Sequence, residues 1–211
     1  MNFRFGTFAL ASAMALSGCI SVKSYVDPTY ARTAYEDLRK PAQVLALKVN
    51  VEFLRNGQRL PKADNEVRGH VERVLRGSGL ITPSESAADG EITIAVDNVG
   101  DLGKSAAKGF GTGLTFGLAG STVQDGYVMT VTLTTAGKTV TKSGYKHVLI
   151  STVGNKKGPE GLTPTTPGAA FGTIVEQMLL NVLGDLQKDG LLVRVDGRLP
   201  RWLETPKPEH G

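Results

Sequence analysis

Apolar and polar residues alternate over residues 44–54, with Leu45, Leu47, Val49, Val51 and Phe53 on one side. Such period-two alternation predicts a half-buried strand. Asn56-Gly57 and Leu60-Pro61 follow as a turn. The period then lengthens: Val67, Val71, Val74 and Leu75 recur at helical spacing, which predicts a helix capped by Asp64, running to Arg76 and stopped by Gly77. Residues 80–82 read as a short extended piece and 83–90 as a loop. Ile92, Ile94 and Val96 alternate again as a second strand. Tyr127, Met129, Val131 and Leu133, then residues 140–150, make two β-rich runs around Ala136-Gly137-Lys138, the pattern of a hairpin. After a loop over 154–167, Thr166 caps and Pro167 opens a long helix. Its apolar positions are Phe171, Ile174, Val175, Met178, Leu179, Val182, Leu183 and Leu186, and Gly190 ends it. Residues 191–195 add a last edge strand, and the tail from Asp196 is polar and proline-rich.

This order of strand, helix, strand, hairpin and helix predicts an α+β layer. The expected form is a mostly antiparallel sheet of about four to five strands with two helices packed on one face. Composition agrees with one such domain. The chain has 211 residues, 40% hydrophobic and 21% charged, which excludes a polytopic membrane protein and wholesale disorder. Its single cysteine excludes an internal disulfide. With 24 Lys and Arg against 20 Asp and Glu, the chain is only mildly basic at +4, and nucleic acid is not expected as a partner.

The first residues stand apart from the fold. Arg4 precedes an uncharged, mostly apolar run over 5–16, and Leu16-Ser17-Gly18-Cys19 follows. A basic start, a short apolar region and small residues before a cut describe a secretory signal. The run is shorter than the roughly 20 residues that span a bilayer. The tetrad resembles the lipobox of bacterial lipoproteins. That resemblance implies that the Cys19 thiol takes a diacylglycerol, that residues 1–18 are removed, and that the new amino group is acylated. Several acyl chains on one residue anchor a protein far more firmly than one. Ile20 stands where an aspartate would retain the protein at the inner membrane, so the resemblance further implies the outer membrane, facing the periplasm. Without Arg4 the mature chain has 23 basic and 20 acidic residues, or +3.

The expected organisation is therefore a signal peptide over 1–18, a lipid-anchored tether over 19–42, the domain over 43–195 and a tail over 196–211. Asp27-Pro28 and Lys40-Pro41 break any long element in the tether, leaving room for a short helical piece around residues 31–38. In pattern, residues 43–192 resemble small proteobacterial lipoproteins and, more loosely, the N-terminal domain of TolB and the peptidoglycan-synthase activator LpoB. Only the lipobox matches as a motif.

Catalytic chemistry is hard to place on this chain. Gly103-Lys104-Ser105 imitates part of a phosphate-binding loop, but Asn98 stands where that loop needs glycine. Gly109, Gly111 and Gly113 miss the dinucleotide spacing because Phe116 replaces the third glycine. His70, His147 and His210 are scattered, with no second ligand at short spacing, so neither metal nor cofactor is expected. His70 borders the apolar stripe and reads as a helix-surface histidine. No G-x-S-x-G or Ser-x-x-Lys pattern occurs. Asp64 with Glu66, and Asp185 with Asp189, read as helix-end and solvated charges. No catalytic residue is assigned.

One segment remains. The glycine-rich insertion over 100–124 has an uncharged stretch, 109–124, where Gly109, Gly113 and Gly117 recur every four residues among Phe110, Leu114 and Phe116. Small residues at that spacing let helix backbones approach closely, as in membranes. Lys104 and Lys108 precede it, where they face anionic headgroups if the segment lies on a membrane. The competing reading is a long glycine-rich loop, since each glycine disfavours a helix by ~1 kcal/mol relative to alanine. Two functions are expected from these features. The first is a non-enzymatic adaptor of an envelope complex, with an envelope protein or a second copy as partner. The second is a lipid or small-ligand binding module with the glycine-rich segment as lid.

Overall fold

The computed structural model describes residues 21–87, 89–99, 121–135 and 137–192. Alternation along the chain becomes strands wherever one face meets the core. These are β1 (Val22–Val26), β2 (Leu45–Arg55), β3 (Gln58–Arg59), β4 (Ile81–Pro83), β5 (Glu91–Val99), β6 (Ser121–Thr135) and β7 (Lys138–Val153). The helical stripes become α1 (Asp64–Ser78) and α2 (Pro167–Lys188). The fold is α+β. Among the described residues its sheet is larger than expected, with seven strands in the order β1-β7-β6-β5-β2-β3 and β4 beside β2. It is also mixed rather than antiparallel, because β2 pairs parallel with both β4 and β5.

The mixture has a physical origin. From β2 the chain crosses over α1 and returns as β4, and a crossover of that kind delivers a parallel strand. Leu45 N–H then donates to Leu80 O, and Ser84 N–H to Leu47 O, on one edge of β2. The loop after β4 passes to the other edge, where Lys48 N–H donates to Gly90 O and β5 begins. Between β4 and β3 the open edge of β2 is occupied by side chains of α1. Arg68 donates to Val49 O at 2.8 Å, and Asp64 accepts from Phe53 N–H at 2.8 Å while pairing with Arg59. An unpaired strand edge invites a foreign strand, and these groups block it.

Asp64 is therefore the first residue of α1 and not its cap. Burial raises its pKa, but the hydrogen bonds from Arg59 and Phe53 outweigh burial and hold it below the usual carboxylate value. Gly77 does not stop α1 either. The helix continues to Ser78 and closes on Gly79 at φ 69°, a left-handed conformation that favours glycine. Gly77 instead lies against the Tyr35 ring, 3.2 Å from where a Cβ would stand. No strand follows α2 at Leu191 and Leu192, which are buried in an irregular turn; residues 193–195 lie outside the described residues.

The core lies between one sheet face and helices α1 and α2. Leu47, Ile92, Ile94 and Met129 from the sheet meet Val71, Val74 and Leu75 of α1 and Leu179 and Leu183 of α2, all fully buried. Every apolar position expected on α1 is in that core. A bulge interrupts the β6–β7 pairing: Met129 faces Tyr145, yet Val131 faces Lys142, so β7 carries one extra residue there. Gly144, at φ 82°, takes the conformation the extra residue requires. The bulge changes which residues of β7 point inward, from Val140 before it to Tyr145, His147 and Leu149 after it.

Candidate functional site

Residues 21–42 are not a free tether. Val22–Val26 form β1, paired antiparallel with β7 from Leu149 to Val153. Ser24 is also bridged on its other side to Thr165, through hydrogen bonds of 2.9 and 2.8 Å. The helical piece foreseen around 31–38 is a single 3-10 turn at Tyr35–Asp37.

The rest of this segment is fastened to α2 by two amide side chains. Asn181 accepts from Arg32 N–H at 2.9 Å and donates to Tyr30 O at 2.8 Å. Gln187 treats Arg39 in the same way, accepting from its N–H and donating to its carbonyl. Each amide thus imitates a neighbouring strand, satisfying backbone groups that have no ladder of their own. Asn181 is 5% exposed, so removing it would leave two backbone groups poorly solvated. Tyr35 donates to Glu176 at 3.2 Å. Arg32 approaches Asp185 at 3.5 Å, and Tyr145 donates to Asp185 at 3.0 Å. Gly184 of α2 makes the close approach feasible, because a Cβ there would stand 2.9 Å from the Thr33 hydroxyl. Asp185 is therefore more than a solvated charge. Burial opposes its ionisation, but Tyr145 and Lys188 hold its pKa below the usual value.

His147 lies beneath the same segment and is fully buried. Tyr30 stacks on its ring at 4.6 Å. Val148 N–H donates to Nδ1 at 2.8 Å, which places the proton on Nε2, and Nε2–H donates to Gln177 at 2.6 Å. Burial depresses the pKa of His147 despite opposing contributions from Gln177, Val148 and Asp27. Burial and then Arg73 depress His70 as well. An unfolded histidine binds its proton from about pH 6.5 downward, whereas these two resist it until lower pH. Stability is therefore expected to be full above pH 6.5 and to fall as pH drops from 6.5 through the folded values. Asp64 and Asp185, with depressed pKa values, lose their contributions only below the carboxylate range. Urea melts between pH 7.5 and 5 check this. A His147→Asn variant should show a shallower slope, and a flat profile in the parent would refute the assignment.

The sheet register also gathers several chain crossings at one end. Val22 of β1 faces Val153 of β7, which faces Ser121 of β6, so these three residues form one row. Gly154 N–H donates to Ser21 O at 3.0 Å in continuation of that row. β5 and β2 finish at the same end, with Val99 opposite Gly126 and Arg55 opposite Asn98.

Cys19 and the residues Gly109, Phe110, Gly113, Leu114, Phe116 and Gly117 lie outside the described residues. The register places the neighbours of both stretches, Ser21 and Ser121, at that one end. Residues 121–124, expected within the insertion, are strand residues of β6 paired with β7. Among the described residues, no group of three or more His, Cys, Asp or Glu is placed to hold a metal ion. Among them, too, no helix is long and apolar enough to cross a membrane. Sequence reasoning missed Asn181, Gln187 and Gln177, and weighed His147 only as a metal ligand. A signal existed for Asn181, a lone amide between Leu180 and Val182 on an otherwise apolar stripe.

The class these features define is an α+β domain on a mixed sheet, with its N-terminal segment built into the fold. No family model matches the chain, and no curated protein matches it. Among solved structures, the chain is similar to the PelC dodecamer from Paraburkholderia phytofirmans, over 82% of this chain and 99% of that one. The identity is 12% and the TM-score 0.33.

Proposed function

We propose that this is a lipid-anchored protein of the cell envelope, held at the outer membrane through acyl chains on Cys19 and facing the periplasm. Its role is that of a non-enzymatic adaptor or accessory factor of an envelope complex. The observation that carries the reading is Leu16-Ser17-Gly18-Cys19 directly after a short apolar run. The fold supports the adaptor form. A chain that enters β1 at Val22 and is clamped to α2 at Tyr30, Arg32 and Arg39 couples anchor and domain rigidly. Anchoring of that kind holds a surface in a fixed attitude toward a partner.

The glycine-rich stretch 109–120 belongs to this proposal as the contact to a membrane or to a second protein. It rejoins the sheet at Ser121, in the row that holds Val22. Cross-linking in intact envelopes, followed by mass spectrometry, tests the reading. Cross-links from this stretch to one envelope protein or to a second copy are expected. A monomer cross-linked to nothing, with a small lipid co-purifying, would favour a ligand-binding module instead.

A further inference from the structure

We propose that the sheet end at which β1 begins is a membrane-apposed surface, with Lys23, Lys156 and Lys157 seated on anionic phospholipid headgroups. The proposal rests on the lipid anchor at Cys19 and names the orientation that anchor imposes. Three observations carry it. The first is reach. Ser21 is already hydrogen-bonded to Gly154, and Val22 is already in the sheet. Three residues of extended chain span at most ~11 Å, so the acylated sulfur cannot stray far from this end. The opposite end, beyond the β6–β7 hairpin, is much farther away, since a strand of 15 residues is ~50 Å long at ~3.3 Å per residue.

The second observation is charge. Lys23, Lys156 and Lys157 are exposed, and among the described residues none is paired with a carboxylate. Lys23 stands in β1 opposite Thr152, two residues before the turn that carries the other two lysines. Nearby acids are Glu160, farther along that loop, Asp125, four residues beyond Ser121 on β6, and Asp27, directly after β1. A basic group acts on an anionic surface within a Debye length of ~8 Å at physiological salt, and the anchor's reach is of that order. The third observation is apolar. Val22, at the tip of this end, is 44% exposed, one of only two large apolar residues so exposed among the described residues. An apolar tip rimmed by lysines beside an acyl anchor suits a headgroup layer and is poorly suited to water.

The test uses the full lipidated chain reconstituted into phosphatidylethanolamine vesicles with or without phosphatidylglycerol. Acylation of Cys19 is read first, from the mass of the N-terminal peptide, so loss of the anchor is seen separately. With that sulfur blocked by lipid, Asn155→Cys supplies one reactive thiol at this end and Glu85→Cys one at the far end. Fluorophores at both are challenged with headgroup-quencher lipids. Several-fold stronger quenching is expected at 155 than at 85, rising with phosphatidylglycerol and falling with added salt. Lys23→Gln/Lys156→Gln/Lys157→Gln should bring the 155 signal in anionic vesicles down to its level in neutral ones. Lys156→Gln/Lys157→Gln, which leaves β1 untouched, should do so in part if the triple variant melts early. An acylated protein quenched equally at both sites, or indifferent to anionic lipid and to the lysines, overturns the proposal. An unacylated chain overturns the anchor itself.

Discussion

Leu179→Ala and Leu183→Ala are each expected to destabilise the domain by ~2–5 kcal/mol. Both side chains are fully buried in the core that joins α2 to the sheet and to α1. Truncation removes the transfer free energy of the lost carbons and leaves a cavity that close-packed neighbours fill only in part. The same core holds Val71, Ile94 and Met129, none with access to solvent. For a domain of this size each kcal/mol lowers Tm by ~2–4 °C. The consequence extends beyond the core, because Asn181 and Gln187 hold residues 30–39 from the same helix. Loosening α2 should therefore also release the N-terminal segment, seen as faster amide exchange at Arg32 and Arg39. Thermal melts of both variants check the first part. Unmoved melting temperatures would show that α2 does not pack on the sheet.

Cys19→Ser is the second change with a large expected effect, and here the loss should be complete. A serine hydroxyl lacks the nucleophilicity of a thiolate, so no diacylglycerol is attached, and processing that depends on that modification stops. The expected product is an unprocessed precursor that takes up no labelled fatty acid. Its domain should fold unchanged, since the strands and helices described above are built from residues C-terminal to Cys19. Metabolic labelling and the mass of the N-terminus read the outcome. Normal processing with undiminished label would remove the lipid anchor from the proposed function.

What was legible in the sequence was local and periodic. Alternation at Leu45, Leu47, Val49 and Val51, and at Ile92, Ile94 and Val96, marks strands because water lies on one side and the core on the other. The stripe from Ile174 to Leu186 marks α2 for the same reason at helical period. The expectation at Cys19 is of another kind, since it rests on the local motif Leu16-Ser17-Gly18-Cys19 and not on packing. Strand direction was not legible. Period two is identical for parallel and antiparallel neighbours, so the crossover through α1 that makes β2–β4 and β2–β5 parallel left no mark in the pattern.

The tertiary structure decided the rest, through contacts between distant positions. Residues 22–26 lack the strict alternation that reads as a strand, and β7 supplies their hydrogen bonds, with Ser24 and Ser151 meeting across 127 residues. Arg32 and Asn181 meet across 149. One extra residue beside Gly144 turns His147 inward, and counting alternation from Val140 would have put it on the solvent side. The proposed membrane-apposed surface is of the same kind. Lys23 and Lys156 share an end only because β1 and β7 run antiparallel in one particular register. Sequence alone determined which residues seek the core, because hydrophobicity belongs to single side chains. Their neighbours were decided by the fold, because backbone hydrogen bonds are the same for every residue and only packing selects their partners.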